Sequence, residues 1–124
     1  MIHTFLSPLM AAGLALIGMV TLAVPHHAAR HFGLPVPVEQ THGLAFVRAT
    51  GGRDIIMGAV LGLLLLRDQQ PRDTIAFAFW ITALCGALDL VLVAGSGRRG
   101  RPLYTHAAGT IMLFVTGWID KAAL

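Results

Sequence analysis

Charged residues are scarce in this chain. Asp, Glu, Lys and Arg make up only 12% of the 124 residues, whereas 56% are hydrophobic. A soluble domain of this length needs a more polar surface than such a composition can supply. The scarcity of charge therefore excludes an ordinary soluble domain and predicts an integral membrane protein.

Three further absences narrow the class of protein. Cys85 is the only cysteine, so no disulfide can form within the chain. The first residues lack the basic segment that opens a cleaved signal peptide, which predicts that the first hydrophobic stretch is retained as a span. Nine Lys and Arg exceed six Asp and Glu by little, an excess that positively charged cytoplasmic loops explain. Because no patch combines aromatic and basic residues, the sequence predicts no nucleic-acid partner.

Hydrophobic stretches occupy most of the length. They cover residues 4–24, 44–66, 74–94 and 105–119, and about 20 residues suffice to cross a bilayer. We therefore predict an all-α membrane protein with a single transmembrane domain over residues 1–124, built as a four-helix transmembrane bundle. Its partners would be membrane lipids, and its location a multi-pass one, with the bacterial inner membrane as the expected compartment.

A short polar stretch follows the first span. In residues 25–35 the apolar residues fall on one helical face and His26, His27, Arg30 and His31 on the other, which predicts a short interfacial helix. His27 and His31 have the i, i+4 spacing of a metal-binding helix. Because spacing fixes no further ligand, a solvated polar face is favoured and the sequence predicts no metal site.

The second span holds charges where lipid is expected. Arg53 and Asp54 lie within residues 44–66, and ionised groups inside a span mark a functional site or a polar contact between helices. Thr50, Asp54, Gly58 and Gly62 form one i, i+4 row, which turns Asp54 toward another helix. Gly58 and Gly62 form a GxxxG pair typical of close helix contact, and the same pair offers a contact for a homo-oligomer.

Polar residues of three helices converge on one half of the membrane. In a four-span topology that half holds the start of the second span, the end of the third and the start of the fourth. The converging residues are Arg48, Arg53, Asp54, Asp89 and His106, with Glu39 and His42 above the same opening. Arg53 and Asp54 lie about 100° apart around the helix, too far to neutralise each other side by side. Because arginine stays charged in a medium of low dielectric, Arg53 needs Asp89, Asp54 or water within reach, and we predict that it pairs with Asp89.

This convergence predicts a polar pocket that binds a small lipophilic ligand. His106 with Asp89 or Asp54 would act as acid and base in proton transfer or isomerisation, and Arg53 would stabilise negative charge. The predicted ligand contacts are Arg48, Glu39, His42, Thr82 and Thr50. The pattern points to no particular cofactor, and it leaves open whether the protein is an enzyme.

Two other functions fit the same pattern. In a non-enzymatic membrane subunit or assembly factor the charges would only clasp helices, and in a proton-coupled carrier they would serve transport. The apolar row at residues 63–66 disfavours a carrier, and the first span lacks the glutamate on which small four-span multidrug exporters rely. A cavity of about 300 Å³ or more beside Arg53 and Asp89 would favour a binding site over a clasp.

Several short motifs resemble a known family. They are Phe32-Gly33-Leu34-Pro35, Gly52-Arg53-Asp54-Ile55 followed by Gly58, Asp89 near the end of the third span and His106 at the start of the fourth. Together they resemble an uncharacterised family of small four-span membrane proteins from bacteria and fungi, a domain of unknown function akin to the DoxX-like proteins. The resemblance implies a four-helix membrane bundle and brings no known reaction with it.

Arginines predict the orientation of the chain. The side of the two long linkers holds Arg30, Arg98, Arg99 and Arg101, against Arg67, Arg72 and Lys121 on the other side. By the positive-inside rule the pocket would open toward the cytoplasm, with both termini outside.

Overall fold

Helices account for nearly all of the described chain. The computed structural model describes residues 2–67, 70–97 and 99–122. Those residues contain no strand and form α1 (Ile2–Ala23), α2 (Pro25–His31), α3 (Thr41–Leu66), α4 (Arg72–Gly95) and α5 (Arg101–Ala122). The predicted all-α fold is confirmed. Arg98, one of the arginines used to predict the orientation, lies outside the described residues.

Three helices are long and apolar enough to cross a membrane, namely Phe5–Ala23 within α1, Thr41–Leu66 and Arg72–Gly95. They coincide with the first three predicted spans to within a few residues, so a multi-pass membrane protein is supported. α5 is 22 residues long and extends beyond the predicted stretch 105–119 at both ends. It is more polar than the other three, and its hydropathy alone does not mark it as a span.

Proline and glycine set the limits of α2. Pro25 occupies the first turn, where the N–H that proline lacks needs no helical partner. At the other end Gly33 has a positive φ of 83°. The N–H groups of Gly33 and Leu34 donate to the carbonyls of Arg30 and Ala29 at 3.2 and 3.0 Å. These two bonds form a Schellman motif, whose left-handed residue is most often glycine.

The two faces of α2 differ as the sequence predicts. Pro25, Ala28 and Ala29 are buried, while His27 and His31 are exposed. α2 contacts both α1 and α3. Part of the apolar face that was expected to meet lipid therefore meets protein, and α2 forms part of the helical assembly.

α1 and α3 form the first of two antiparallel helix pairs. A Cβ atom built on Gly18 would lie 2.5 Å from the carbonyl oxygen of Gly51, and one built on Gly58 would lie 2.7 Å from the carbonyl oxygen of Ala11. Residue numbers rise along one helix as they fall along the other. Glycine allows the two backbones to approach this closely because it has no side chain to separate them.

The inward face of α3 differs from the predicted row. Its buried residues are Leu44, Gly51, Asp54, Gly58 and Leu61, whereas a Cβ atom on Gly62 would meet nothing within 4 Å. The close approach to α1 therefore uses Gly51 and Gly58 of α3, and the predicted GxxxG contact is wrong for Gly62. Residues seven apart return to nearly the same side of a helix, while an i, i+4 row drifts around it. Since α1 of the same chain covers Gly58, the predicted homo-oligomer would have to use Gly62 alone.

α4 and α5 form the second antiparallel pair. A Cβ atom built on Gly86 would lie 2.6 Å from Oγ1 of Thr110, and one built on Gly117 would lie 2.6 Å from Nε1 of Trp80. The ammonium group of Lys121 lies 5.6 Å from the centroid of the Trp80 ring. An aromatic and basic cluster of this kind is typical of a helix end at a membrane surface.

The two pairs make fewer contacts with each other than the helices within each pair make. At the end that holds the start of α1, Oγ of Ser7 lies 2.8 Å from both carboxylate oxygens of Asp120 in α5 and donates to that carboxylate. Both side chains are buried. A small apolar core of Ala11, Leu61 and Phe79 joins α1, α3 and α4. One end of the assembly is therefore held by a short polar contact beside tightly packed apolar residues.

Candidate functional site

Arg53 in α3 and Asp89 in α4 form an ion pair between the two helix pairs. Nη2 of Arg53 donates to Oδ2 of Asp89 at 2.8 Å, and Nη1 donates to Oδ1 at 3.2 Å. This is the bidentate geometry that gives arginine and carboxylate pairs their strength and direction. The side chains are 37% and 25% exposed. The predicted pairing of Arg53 with Asp89 is confirmed.

Arg53 also bonds its neighbour in the sequence, Asp54. Nε and Nη2 of Arg53 donate to Oδ1 of Asp54 at 3.0 and 2.9 Å, and Asp54 is only 7% exposed. The expectation that these neighbours cannot neutralise each other is wrong, because the long arginine side chain turns around the helix to reach the carboxylate. One guanidinium thus holds two carboxylates, and we call Arg53, Asp54 and Asp89 the ion cluster.

A cavity of about 500 Å³ lies beside the ion cluster. Its lining draws on all five helices and is mostly apolar. The predicted site residues that line it are Arg53, Asp54, Asp89, His106, Thr50 and Thr82. The volume falls within the range of about 300–1,000 Å³ that is usual for small-molecule sites. The cavity lies where residues of three helices were predicted to converge.

Two stripes of small and polar residues face the cavity from the second helix pair. α4 contributes Thr82, Cys85, Gly86 and Asp89, and α5 contributes His106, Gly109, Thr110 and Leu113. Within each stripe the spacing is i, i+3 or i+4, i+7, which places the residues on one helical face. Both helices therefore present small and polar side chains to the cavity.

His106 is a polar group of the lining with an unused bonding position. Its Nε2 atom is buried and has no hydrogen-bond partner among the described residues. The imidazole lies against the ring of Phe32, with ring centroids 5.5 Å apart. A buried nitrogen without a partner is costly, so a ligand that bonds it would gain binding energy.

Three predicted ligand contacts lie elsewhere. Glu39, His42 and Arg48 are exposed, and none of them lines the cavity. Glu39 lies in the turn before α3, His42 in the first turn of α3, and Arg48 on the outward side of that helix. A ligand confined to the cavity would not meet them.

Phe32 and Cys85 also line the cavity, and neither was predicted as a site residue. For Cys85 the signal was present, since it shares the helical face of Thr82 and Asp89. The contact of Phe32 with His106 depends on how α2 folds back over α5, which residue spacing does not reveal. In the described part of the chain no group of three or more His, Cys, Asp or Glu side chains is placed to hold a metal ion.

A family model described as Domain of unknown function (DUF4267) matches residues 11–119. The chain belongs to the DUF4267 family. This match covers most of the sequence and includes the ion cluster, His106 and the other cavity residues. The expected membership of an uncharacterised family is confirmed, while the kinship with DoxX-like proteins and the number of spans stay predictions. No curated protein and no solved structure matches this DUF4267 chain.

Proposed function

We propose that this protein is a four-span membrane protein whose cavity binds a small lipophilic ligand, with the ion cluster and His106 at the polar end of the site. The observation that best supports this proposal is the cavity of about 500 Å³ with mostly apolar walls beside that cluster. A site of this kind suits a molecule with a large apolar body and one polar group.

The proposal that α5 is a fourth span rests on how polar residues are distributed around this helix. A helix of 22 residues is about 33 Å long at about 1.5 Å per residue, enough to cross a hydrocarbon core. His106 lines the cavity and Asp120 contacts Ser7, so both polar groups face protein. Between residues 111 and 118 the exposed side chains are all apolar: Ile111, Met112, Phe114, Val115 and Trp118. Mean hydropathy hides this division because it averages the two faces.

A membrane subunit or assembly factor is the second candidate. The observation that favours it is the pairing of Arg53 with both carboxylates, which satisfies charges that would otherwise be costly between apolar helices. A pure clasp does not account for the cavity or for the unpartnered nitrogen of His106. We therefore place ligand binding first. Proton transfer or isomerisation with His106 as acid or base stays a prediction, testable by a product assay once the ligand is identified.

The binding function can be tested by identifying lipids that co-purify with the protein. Wild-type protein and a Gly109→Phe variant would be purified in the same mild detergent and extracted for mass spectrometry. Gly109 lines the cavity, and a Cβ atom on it would meet nothing within 4 Å. The added ring therefore has room to enter the cavity. Gly62→Phe is the matched control, since Gly62 also has open space around it but does not line the cavity.

Ligand binding predicts one or a few compounds in stoichiometric amount with wild type and Gly62→Phe, and much less with Gly109→Phe. If all three proteins carry the same bulk lipids in the same amounts, the binding function is wrong and the clasp is favoured.

A further inference from the structure

We propose that the ligand of this cavity is a lipophilic amine, an apolar molecule whose head is positively charged and donates hydrogen bonds. This inference rests on the proposed function, because it requires that the cavity binds a ligand. It follows from the balance of hydrogen-bond donors, acceptors and charge around the cavity.

The threonines of the lining present acceptors. Thr50, Thr82, Thr105 and Thr110 line the cavity, and each donates its hydroxyl proton to the carbonyl oxygen four residues earlier, at 3.2, 2.8, 2.9 and 2.8 Å. A hydroxyl has one proton and two lone pairs. With the proton engaged, only lone pairs are left for a ligand.

Arg53 has few donors to spare. Its four hydrogen bonds to the two carboxylates use four of the five N–H groups of a guanidinium. One N–H on Nη1 is left. The arginine therefore serves to hold the carboxylates rather than to receive an anionic ligand.

The carboxylates retain acceptor capacity. Oδ2 of Asp54 receives no hydrogen bond from any described residue, since both bonds from Arg53 go to Oδ1. Asp54 lines the cavity and is nearly buried. A neutral imidazole has one acceptor nitrogen and one N–H donor, so His106 adds one of each. The polar lining therefore offers mostly acceptors.

The net charge of the ion cluster also favours a cationic ligand. The ion cluster contains two carboxylates and one guanidinium, a net charge of minus one when the imidazole of His106 is neutral. Arg48, the nearest further arginine along α3, is exposed and does not line the cavity. In a medium of low dielectric an uncompensated negative charge is unfavourable. A cationic head would compensate it, whereas a carboxylate ligand would add to it.

Three probes with the same alkyl chain test the proposal: dodecylamine, dodecanol and dodecanoate. Their affinities for wild-type protein in a non-ionic detergent are measured at neutral pH by isothermal titration calorimetry. Because hydrogen bonds to charged groups are about twice as strong as neutral ones, we expect the amine to bind about tenfold or more tighter than the alcohol. Dodecanoate should bind most weakly. Gly109→Phe reports how much of each affinity comes from the cavity, because it leaves the charges unchanged.

The Asp54→Asn variant tests whether the carboxylate of Asp54 contributes to amine binding. Arg53 requires an oxygen acceptor, so the amide would keep its oxygen toward Arg53 and turn its NH₂ group toward the position of Oδ2. That position then changes from a charged acceptor to a neutral donor. We expect amine affinity to fall about tenfold or more and the preference over dodecanoate to shrink. Asp73→Asn is the matched control, because Asp73 is exposed at the start of α4 and does not line the cavity.

Each outcome decides a different point. Dodecanoate or dodecanol binding as tightly as dodecylamine in wild type, with sensitivity to Gly109→Phe, overturns the amine inference and leaves the proposed function in place. Binding of none of the probes, together with no co-purified ligand, overturns the proposed function itself. An amine affinity that Gly109→Phe leaves unchanged also rejects the inference. If Asp54→Asn does not fold, the ranking of the three probes on wild type still decides.

Discussion

Replacing Gly58 with alanine is expected to separate α1 from α3. A Cβ atom at this position would lie 2.7 Å from the carbonyl oxygen of Ala11, 2.7 Å from the backbone nitrogen of Ala15 and 2.9 Å from its Cβ. Two of these neighbours are backbone atoms, which cannot rotate away. The helices must therefore move apart, or the backbone must bend.

The size of the effect follows from these distances. A separation of 2.7 Å is about 0.7 Å short of the 3.4 Å at which ordinary van der Waals contact begins. A gap of about 0.5–1 Å forfeits about a quarter to a half of the contact energy of the atoms it separates. Gly18 and Gly51, farther along the same interface, would also lose contact. Overpacking of this kind costs about 1–3 kcal/mol, and we expect Gly58→Ala to destabilise the protein by that amount.

Gly62→Ala is the matched control. It lies one turn farther along the same helix, and its Cβ atom would have open space, so a change within about 0.5 kcal/mol is expected. Unfolding free energies in mixed micelles, followed by helical circular dichroism during titration with sodium dodecyl sulfate, would measure both. Equal stabilities for the two variants would show that the close packing of α1 on α3 is not what Gly58 provides.

Three further predictions concern the links between helices and the topology. Asp89→Asn should lower the unfolding free energy by about 1–2 kcal/mol. This is less than the loss of a fully buried ion pair would cost, because Arg53 keeps its bonds to Asp54 and is partly exposed. The same titration measures the change, and no loss would mean that the ion pair does not stabilise the fold. Ser7→Ala should lower the unfolding free energy by about 1–3 kcal/mol, because it removes a buried hydrogen-bond donor to a carboxylate. Ser7→Thr retains the hydroxyl and should recover part of this loss. An unchanged unfolding transition for Ser7→Ala would contradict a stabilising role of this contact. Reporters fused to the two termini should lie on the same side of the membrane if α5 spans it, whereas opposite sides would limit the chain to three spans.

Much of the site could be predicted from the sequence, because an unpaired arginine or aspartate in an apolar helix has a high free-energy cost. Such residues are therefore expected to form ion pairs. The convergence of Arg53, Asp89 and His106 followed from helix lengths and from the alternation of helix direction. The bond between Arg53 and Asp54 did not, because angles around a helix describe where side chains start and not how far a flexible one reaches. The contact of Ser7 with Asp120 also escaped prediction, since nothing in either local sequence tells which helices are neighbours.

Two polar links of different length join the helix pairs. At one end Ser7, with a single side-chain oxygen, reaches Asp120 directly, so α1 and α5 must lie close together. At the other end Arg53 bridges from α3 to Asp89 in α4 through a side chain several bonds long. The cavity lies at that end, with Phe32 and His106 among its walls. A clasp and the proposed binding site are therefore compatible, because the same arginine that joins the helix pairs also lines the cavity.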